Sequence, residues 1–345
     1  MLQIIAHGGD RRRAPPPRHP AHHESKKEPR ADQVNSGHFY YDPLFLEHET
    51  GRHPENAGRI SALGSRVDDL VAQYRCTRGS WEPLSASDLT AVHDAAYVET
   101  VQRVAERGGG MLDPDTVVSP RSYEVARSAA GAVASAVDNV LAGEARRAFC
   151  LLRPPGHHAL RDRGMGFCLF NNIAIGARRA IDKHGLARVL VVDWDVHHGN
   201  GTQELFWEDP QVGFFSIHRY PFYPGTGAAD ETGGGAGLGT KLNVPVAYGT
   251  SRREYLDLFR GGLESLAEKM RPELILLSAG FDAHRLDPIG SLGLESEDFV
   301  TLTQSVVQIA DSYSGGKIVS VLEGGYNPAA VAQSVQLHLE QLFLD

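Results

Sequence analysis

The stretch Arg188-Val-Leu-Val-Val-Asp-Trp-Asp-Val-His-His-Gly-Asn200 decides the fold. Its apolar opening, RVLVVD over 188–193, has the length and β-branched content of a strand buried on both faces, and polar residues and a glycine follow it at once. Four more runs have the same form: RAFCLL (147–152), VGFFSI (212–217), ELILLS (273–278) and KIVSVL (317–322). Between them the apolar spacing turns helical, over 121–143 with Gly143 as a C-terminal stop, and again over 172–184, 252–270 and 297–314. Strands alternating with helices predict an α/β domain: a parallel sheet covered by helices on both faces.

The residues that follow the strands carry the functional signal. Arg153-Pro-Pro-Gly-His-His158 follows the first run, Asp193-Trp-Asp-Val-His-His198 the second, His218 the third, Phe281-Asp282 the fourth and Glu323-Gly-Gly-Tyr326 the fifth. In an open parallel sheet, ligands bind at the carboxyl ends of the strands. Five polar, glycine-flanked segments at one edge therefore predict a single site built from distant parts of the chain.

Asp195 and His197 are two residues apart, so at a strand end both side chains point the same way. Carboxylate and imidazole suit Zn²⁺, and Asp282 is the best third ligand; three protein groups plus an open position is the pattern of a catalytic zinc. The adjacent His157 and His158, presented by Pro154, Pro155 and Gly156, suit proton transfer, one taking a proton from the attacking water and the other giving one to the leaving amine. Each needs an acceptor to fix its tautomer, and Asp193 and Asn200 are placed to supply them. The imidazole paired with Asp193 is expected to be the more basic. Tyr326 is a candidate donor to a developing oxyanion. Phe167, Tyr223 and His218 are candidates for the wall of a narrow channel; for each, ordinary core packing is an alternative. The run Gly233-Gly-Gly-Ala-Gly-Leu-Gly239 lacks the Lys-Ser/Thr ending of a phosphate loop and reads as a flexible loop on the site edge.

Composition narrows the classes. The chain has 345 residues, 41 % hydrophobic and 22 % charged, ordinary for a globular protein with a large core. A net charge of −9 gives no general attraction to nucleic acid or to an anionic membrane, and no apolar run is long enough to span one. Three cysteines (Cys76, Cys150, Cys168) make no disulfide framework and point to a reducing, cytoplasmic setting. Residues 1–36 are rich in Arg, Pro, His and Lys and are expected to be a disordered tail; residues 37–345 form the catalytic domain.

Taken together, HETGRHPENAGRI (48–60), LDPDTVVSPRSYEVA (112–126), RPPGHHA (153–159), GFCLFNNIAIGA (166–177), DWDVHHGNGTQ (193–203), AGFDAHRLDP (279–288) and EGGYN (323–327) resemble the zinc-dependent histone deacetylase superfamily, which includes acetylpolyamine amidohydrolases and acetoin-utilisation proteins. The resemblance implies the arginase/deacetylase fold, a single domain with a mostly parallel eight-stranded sheet. It implies that Asp195, His197 and Asp282 hold Zn²⁺, that His157 and His158 are the tandem histidines, and that Tyr326 is the transition-state tyrosine. It also implies a structural K⁺ held by Asp193, Asp195, His197, Ser216 and the Ile217 carbonyl, with a second monovalent site near Phe206, Asp209 and Val212. Asn200 and the RPPGHHA wording are similar to the class II branch and its bacterial relatives, and Tyr326 stands where a weakly active subset of that branch has histidine. Ile289 occupies the channel position where a glutamate would favour polyamines. The rim carboxylate of some members has no secure counterpart; Leu112 falls near it, with Asp113 and Asp115 adjacent.

The expected reaction is zinc-dependent hydrolysis of an N-acyl amide, N-acetyl first among them, on an acylated lysine side chain or an acylated polyamine. Two other readings stay open: a binuclear manganese ureohydrolase on the same fold, for which the sequence offers no spare ligand cluster, and a non-catalytic acyl-lysine-binding module. Oligomeric state is not specified by the sequence.

Overall fold

A computed structural model describes residues 37–344; the stretch 1–36, expected to be a disordered tail, lies outside the described residues. Among the described residues ten strands occur in chain order: β1 (Gly37–Tyr40), β2 (Thr77–Arg78), β3 (Gly110–Asp113), β4 (Thr116–Val118), β5 (Arg147–Cys150), β6 (Val189–Asp193), β7 (Val212–Arg219), β8 (Lys241–Val246), β9 (Leu274–Ala279) and β10 (Ile318–Leu322). Eight of them form one sheet in the order β2-β1-β5-β10-β9-β6-β7-β8. Every pairing in it is parallel. Strands β3 and β4 make a separate antiparallel hairpin.

The five strands read from the sequence form the middle of this sheet. All residues of β5, β6, β9 and β10 are buried. Alternate side chains point to opposite faces, so both faces are covered. Register then aligns the strand ends: Asp193 of β6 lies opposite Ser216 of β7 and Ser278 of β9, and Val321 of β10 opposite Ser278 and Cys150 of β5. Segments 153–158, 193–198, 281–282 and 323–326 therefore leave the sheet at one level.

The helices carry the expected stops. The helix Ser122–Ala142 buries a face of Ala and Val and ends at Gly143 in the left-handed conformation, φ 78°. The helix Pro328–Phe343 starts with Pro at its first turn, and the Asn327 side chain accepts the Ala330 N–H. EGGYN thus ends in a helix cap, which fixes Tyr326 one residue before a rigid element. The Gly-rich run 233–239 departs from expectation. It leads into the amino end of β8, opposite the site edge, and Gly233, Gly234 and Gly237 pack so closely on Trp207, Glu208 and each other's backbone that a Cβ would collide there.

Candidate active site

Asp195 and His197 stand just beyond β6, and Asp282 beyond β9. Their ligating atoms lie within 4.8 Å of one another. Asp195 Oδ1 and Asp282 Oδ2 are each 3.1 Å from His197 Nδ1. The other oxygens are held by backbone: Asp282 Oδ1 accepts the Val196 N–H at 2.9 Å and Asp195 Oδ2 the Gly324 N–H at 2.8 Å. A Cβ on Gly324 would run into both carboxylates, so the glycine is what lets the 323–326 turn close over them.

Two wholly buried carboxylates facing each other are unfavourable without a cation between them. Burial, followed by the Asp195 charge, pushes the Asp282 carboxyl up to about 7. The O, N, O donor set, buried and converging on one point, fits a divalent metal ion.

The tandem histidines lie against this cluster, their ring centroids 4.0 Å apart. His157 Nδ1 is 3.0 Å from Asp193 Oδ2, and His158 Nδ1 is 2.7 Å from Asn200 Oδ1. These partners set opposite proton affinities. Burial pulls His157 down, but the Asp193 and Asp195 carboxylates outweigh it and push it up to about 10. His158 is driven well below the ordinary histidine range by burial and by the neighbouring imidazoles of His157 and His197. One ring is thus set to be an imidazolium and the other neutral. Tyr326 faces the same space; burial raises its phenol well above 10, so it remains a donor.

A cavity of about 210 Å³ leads down to these groups, lined by Asp115, His158, Gly166, Phe167, His197, Phe222, Tyr223, Ile289 and Tyr326. Phe167 meets the Tyr326 ring edge-on at 5.6 Å, and Tyr223 meets His158 edge-on at 5.3 Å. Phe167 holds φ at +70°, a strained value for a side chain of this size, with its N–H on Thr116 Oγ1. The aromatic walls therefore enclose a slot whose floor holds the polar groups.

A model of the histone deacetylase domain matches residues 53–342. The chain belongs to the histone deacetylase family. It is 39 % identical over 312 residues to the histone deacetylase-like amidohydrolase of Pseudomonas aeruginosa, covering 85 % of this chain and 82 % of that protein. It is 40 % identical over 296 residues to a probable deacetylase of Methanothermobacter thermautotrophicus, covering 85 % and 87 %. The crystal structure of the HDA15 HD domain superposes with a TM-score of 0.83 at 34 % identity, covering 90 % of this chain and 88 % of that one. The fold is the arginase/deacetylase fold, and the family is one of deacetylases and amidohydrolases, which are hydrolases.

Against this family's site, two expectations need correction. His218 does not line the cavity: it is fully buried, with Nδ1 on Ser216 Oγ at 2.9 Å and Nε2 on the Gly227 carbonyl at 2.9 Å. Two satisfied ring nitrogens make it a structural histidine. The second monovalent site is also altered. The buried Lys241 ammonium donates to the carbonyls of Asp209 (3.1 Å) and Val212 (2.9 Å) and to Thr240 Oγ1 (2.6 Å), so a side-chain cation already sits there. Ser216 of β7 pairs with Asp193 of β6 in the sheet, and Ile217 follows it in the strand.

Other residues of the site escaped sequence reasoning. Glu55 bridges Arg153 through both carboxylate oxygens (2.5 and 2.7 Å) and reaches Arg59 at 2.9 Å, all three buried. Arg59 in turn binds the Gly325 carbonyl at 2.6 Å and the Glu323 carbonyl. Glu323 Oε2 accepts the N–H groups of Gly156 (2.7 Å) and His157 (3.2 Å), tying the histidine loop to the tyrosine loop. Phe222 stacks on His197 at 5.3 Å. Asp115, read from the sequence only as adjacent to the rim position, lines the cavity. A single arginine or glutamate carries no spacing signal, whether in a loop like Glu55 and Arg153 or in a short helix like Arg59; only burial reveals its role.

Proposed function

We propose that this protein is a zinc-dependent deacylase that hydrolyses an N-acyl amide, N-acetyl first among them, on an acylated lysine side chain or acylated polyamine. The observation that carries the reading is the convergence of Asp195, His197 and Asp282 beside the paired imidazoles at the floor of an aromatic slot. When bound by those three residues, Zn²⁺ supplies Lewis acidity, polarising the acyl carbonyl and acidifying the attacking water. The slot of Phe167, Phe222 and Tyr223 grips the apolar stem of the substrate and excludes bulk water. Neutral His158 takes the proton of the attacking water at its Nε2, since Nδ1 is engaged by Asn200. His157, held as an imidazolium by Asp193, gives a proton to the departing amine. The Tyr326 hydroxyl donates to the oxyanion as the carbonyl becomes tetrahedral. Products are a free amine and a carboxylate.

A structural K⁺ at Asp193, Asp195, His197, Ser216 and Ile217 belongs to the same reading. So does a cytoplasmic location, supported by three free thiols. Among the described residues no helix is long and apolar enough to cross a membrane.

The test is turnover of acetyl-lysine peptides and acetylated polyamines before and after chelation, with Zn²⁺ added back. Activity should vanish with chelator and return with Zn²⁺. Tyr326→Phe should lower kcat by about 10²–10³ and His158→Ala by about 10²–10⁴, with KM little changed. Wild-type rates in both variants would overturn the assignment of the catalytic groups. A protein that binds acyl-lysine peptide without turnover would be a binding module instead.

A further inference from the structure

Beside the primary cluster lies a second one that the mechanism leaves partly unused. His157, Cys168 and Glu323 place an imidazole nitrogen, a thiol sulfur and a carboxylate oxygen within 4.8 Å of one another, all buried. We propose that these three side chains form an inhibitory site for a second, thiophilic divalent cation such as Zn²⁺ or Cd²⁺. The inference rests on the deacylase reading, because it acts through His157.

Each group has a free valence. His157 Nδ1 faces Asp193, so Nε2 is the nitrogen left over; it lies 3.9 Å from Asp195 Oδ1, on the side of the primary metal cluster. Glu323 spends Oε2 on two backbone N–H groups, while Oε1 accepts only the Ser278 hydroxyl at 3.1 Å, leaving one of its lone pairs. Cys168 Sγ lies 3.3 Å from the Gly166 carbonyl and meets the His158 backbone, contacts that leave sulfur lone pairs available. Sulfur, nitrogen and oxygen donors together select Zn²⁺ or Cd²⁺ over Mn²⁺ and Mg²⁺.

Charge does not oppose a second ion. Asp193, Asp195, Asp282 and Glu323 are four carboxylates with no exposed surface, and a divalent ion that displaces the His157 and Cys168 protons leaves the net charge of this buried group unchanged. Its binding releases the Cys168 thiol proton and the His157 Nε2 proton to solvent and forms the metal–sulfur and metal–nitrogen bonds; no electron changes hands. The ion also captures His157 Nε2, so the imidazole can no longer donate to the leaving amine.

The test uses metal-free full-length enzyme, titrated anaerobically with Zn²⁺, Cd²⁺ or Co²⁺ while metal content, activity and near-ultraviolet absorption are followed. The first equivalent should activate, and the second should inhibit. With Co²⁺ or Cd²⁺ a thiolate-to-metal absorption should appear only with the second equivalent. Cys168→Ser should keep the activity of the first equivalent, lose the absorption band, and need roughly tenfold or more Zn²⁺ for half inhibition. Mn²⁺ and Mg²⁺ in excess should not inhibit either protein. A single equivalent bound by wild type, or inhibition undiminished in Cys168→Ser, would overturn the proposal. If the first equivalent binds without restoring activity, the deacylase reading fails; stoichiometry and the absorption band still decide the second site.

Discussion

At the scale of the residue, the site is a set of side chains whose partners fix their protonation. His157 and His158 are neighbours with the same intrinsic chemistry. The difference between them comes from a carboxylate on one and an amide on the other. Asn200→Asp should test this. A charged partner raises the pKa of His158, and the reaction needs that ring neutral. The acid limb of kcat/KM should therefore move to higher pH than in wild type, where burial and the adjacent imidazoles hold it below the ordinary histidine range. An unmoved limb would mean that another group sets it. The pairing was legible in the sequence because two adjacent histidines just past a strand end are costly to bury unless each has a partner. The position of His218 was not: the strand runs on through Arg219, so His218 lies within it, and its ring meets the Gly227 carbonyl instead of the cavity.

At the scale of the element, the catalytic groups sit on loops held by buried polar struts. The central strands were readable from their apolar runs. The outer ones were not: β1 has four residues, β2 two, and β8 carries Lys241, Asn243 and Pro245, the composition of a sheet edge. What the sequence hides most completely is the ionic strut of Glu55, Arg153 and Arg59, which joins the histidine loop to a segment about 100 residues earlier. Burial alone would raise the Glu55 carboxyl, but the two guanidinium groups outweigh it and hold it at about 2. Its folded-state pKa is thus depressed below the ordinary 4.5. The stabilisation is complete above that value and is lost as pH falls from about 4.5 toward 2. Glu55→Gln should destabilise the fold by roughly 3–5 kcal/mol near neutral pH, because two arginines are left buried without a counter-charge. Denaturant unfolding across that pH range checks both statements. A loss under ~1 kcal/mol would show that the arginines find other partners.

At the scale of the whole molecule, eight parallel strands bring five loops to one edge, and four carboxylates are buried together there. Such a centre is stable only with cations in place, so binding and folding are linked. Chelation should lower the melting temperature by several degrees and restoring Zn²⁺ should recover it. In Asp282→Asn both responses should be largely absent. Equal melting temperatures for chelated and metal-loaded wild type would argue against a structural contribution of the ion.

The most direct measurement is an anomalous difference map, recorded across the zinc edge, from crystals of active enzyme loaded with one equivalent of Zn²⁺. The account predicts one strong peak, about 2.0–2.2 Å from a carboxylate oxygen of Asp195, an imidazole nitrogen of His197 and a carboxylate oxygen of Asp282. A peak elsewhere in the chain, or none in crystals that still turn over substrate, would contradict it.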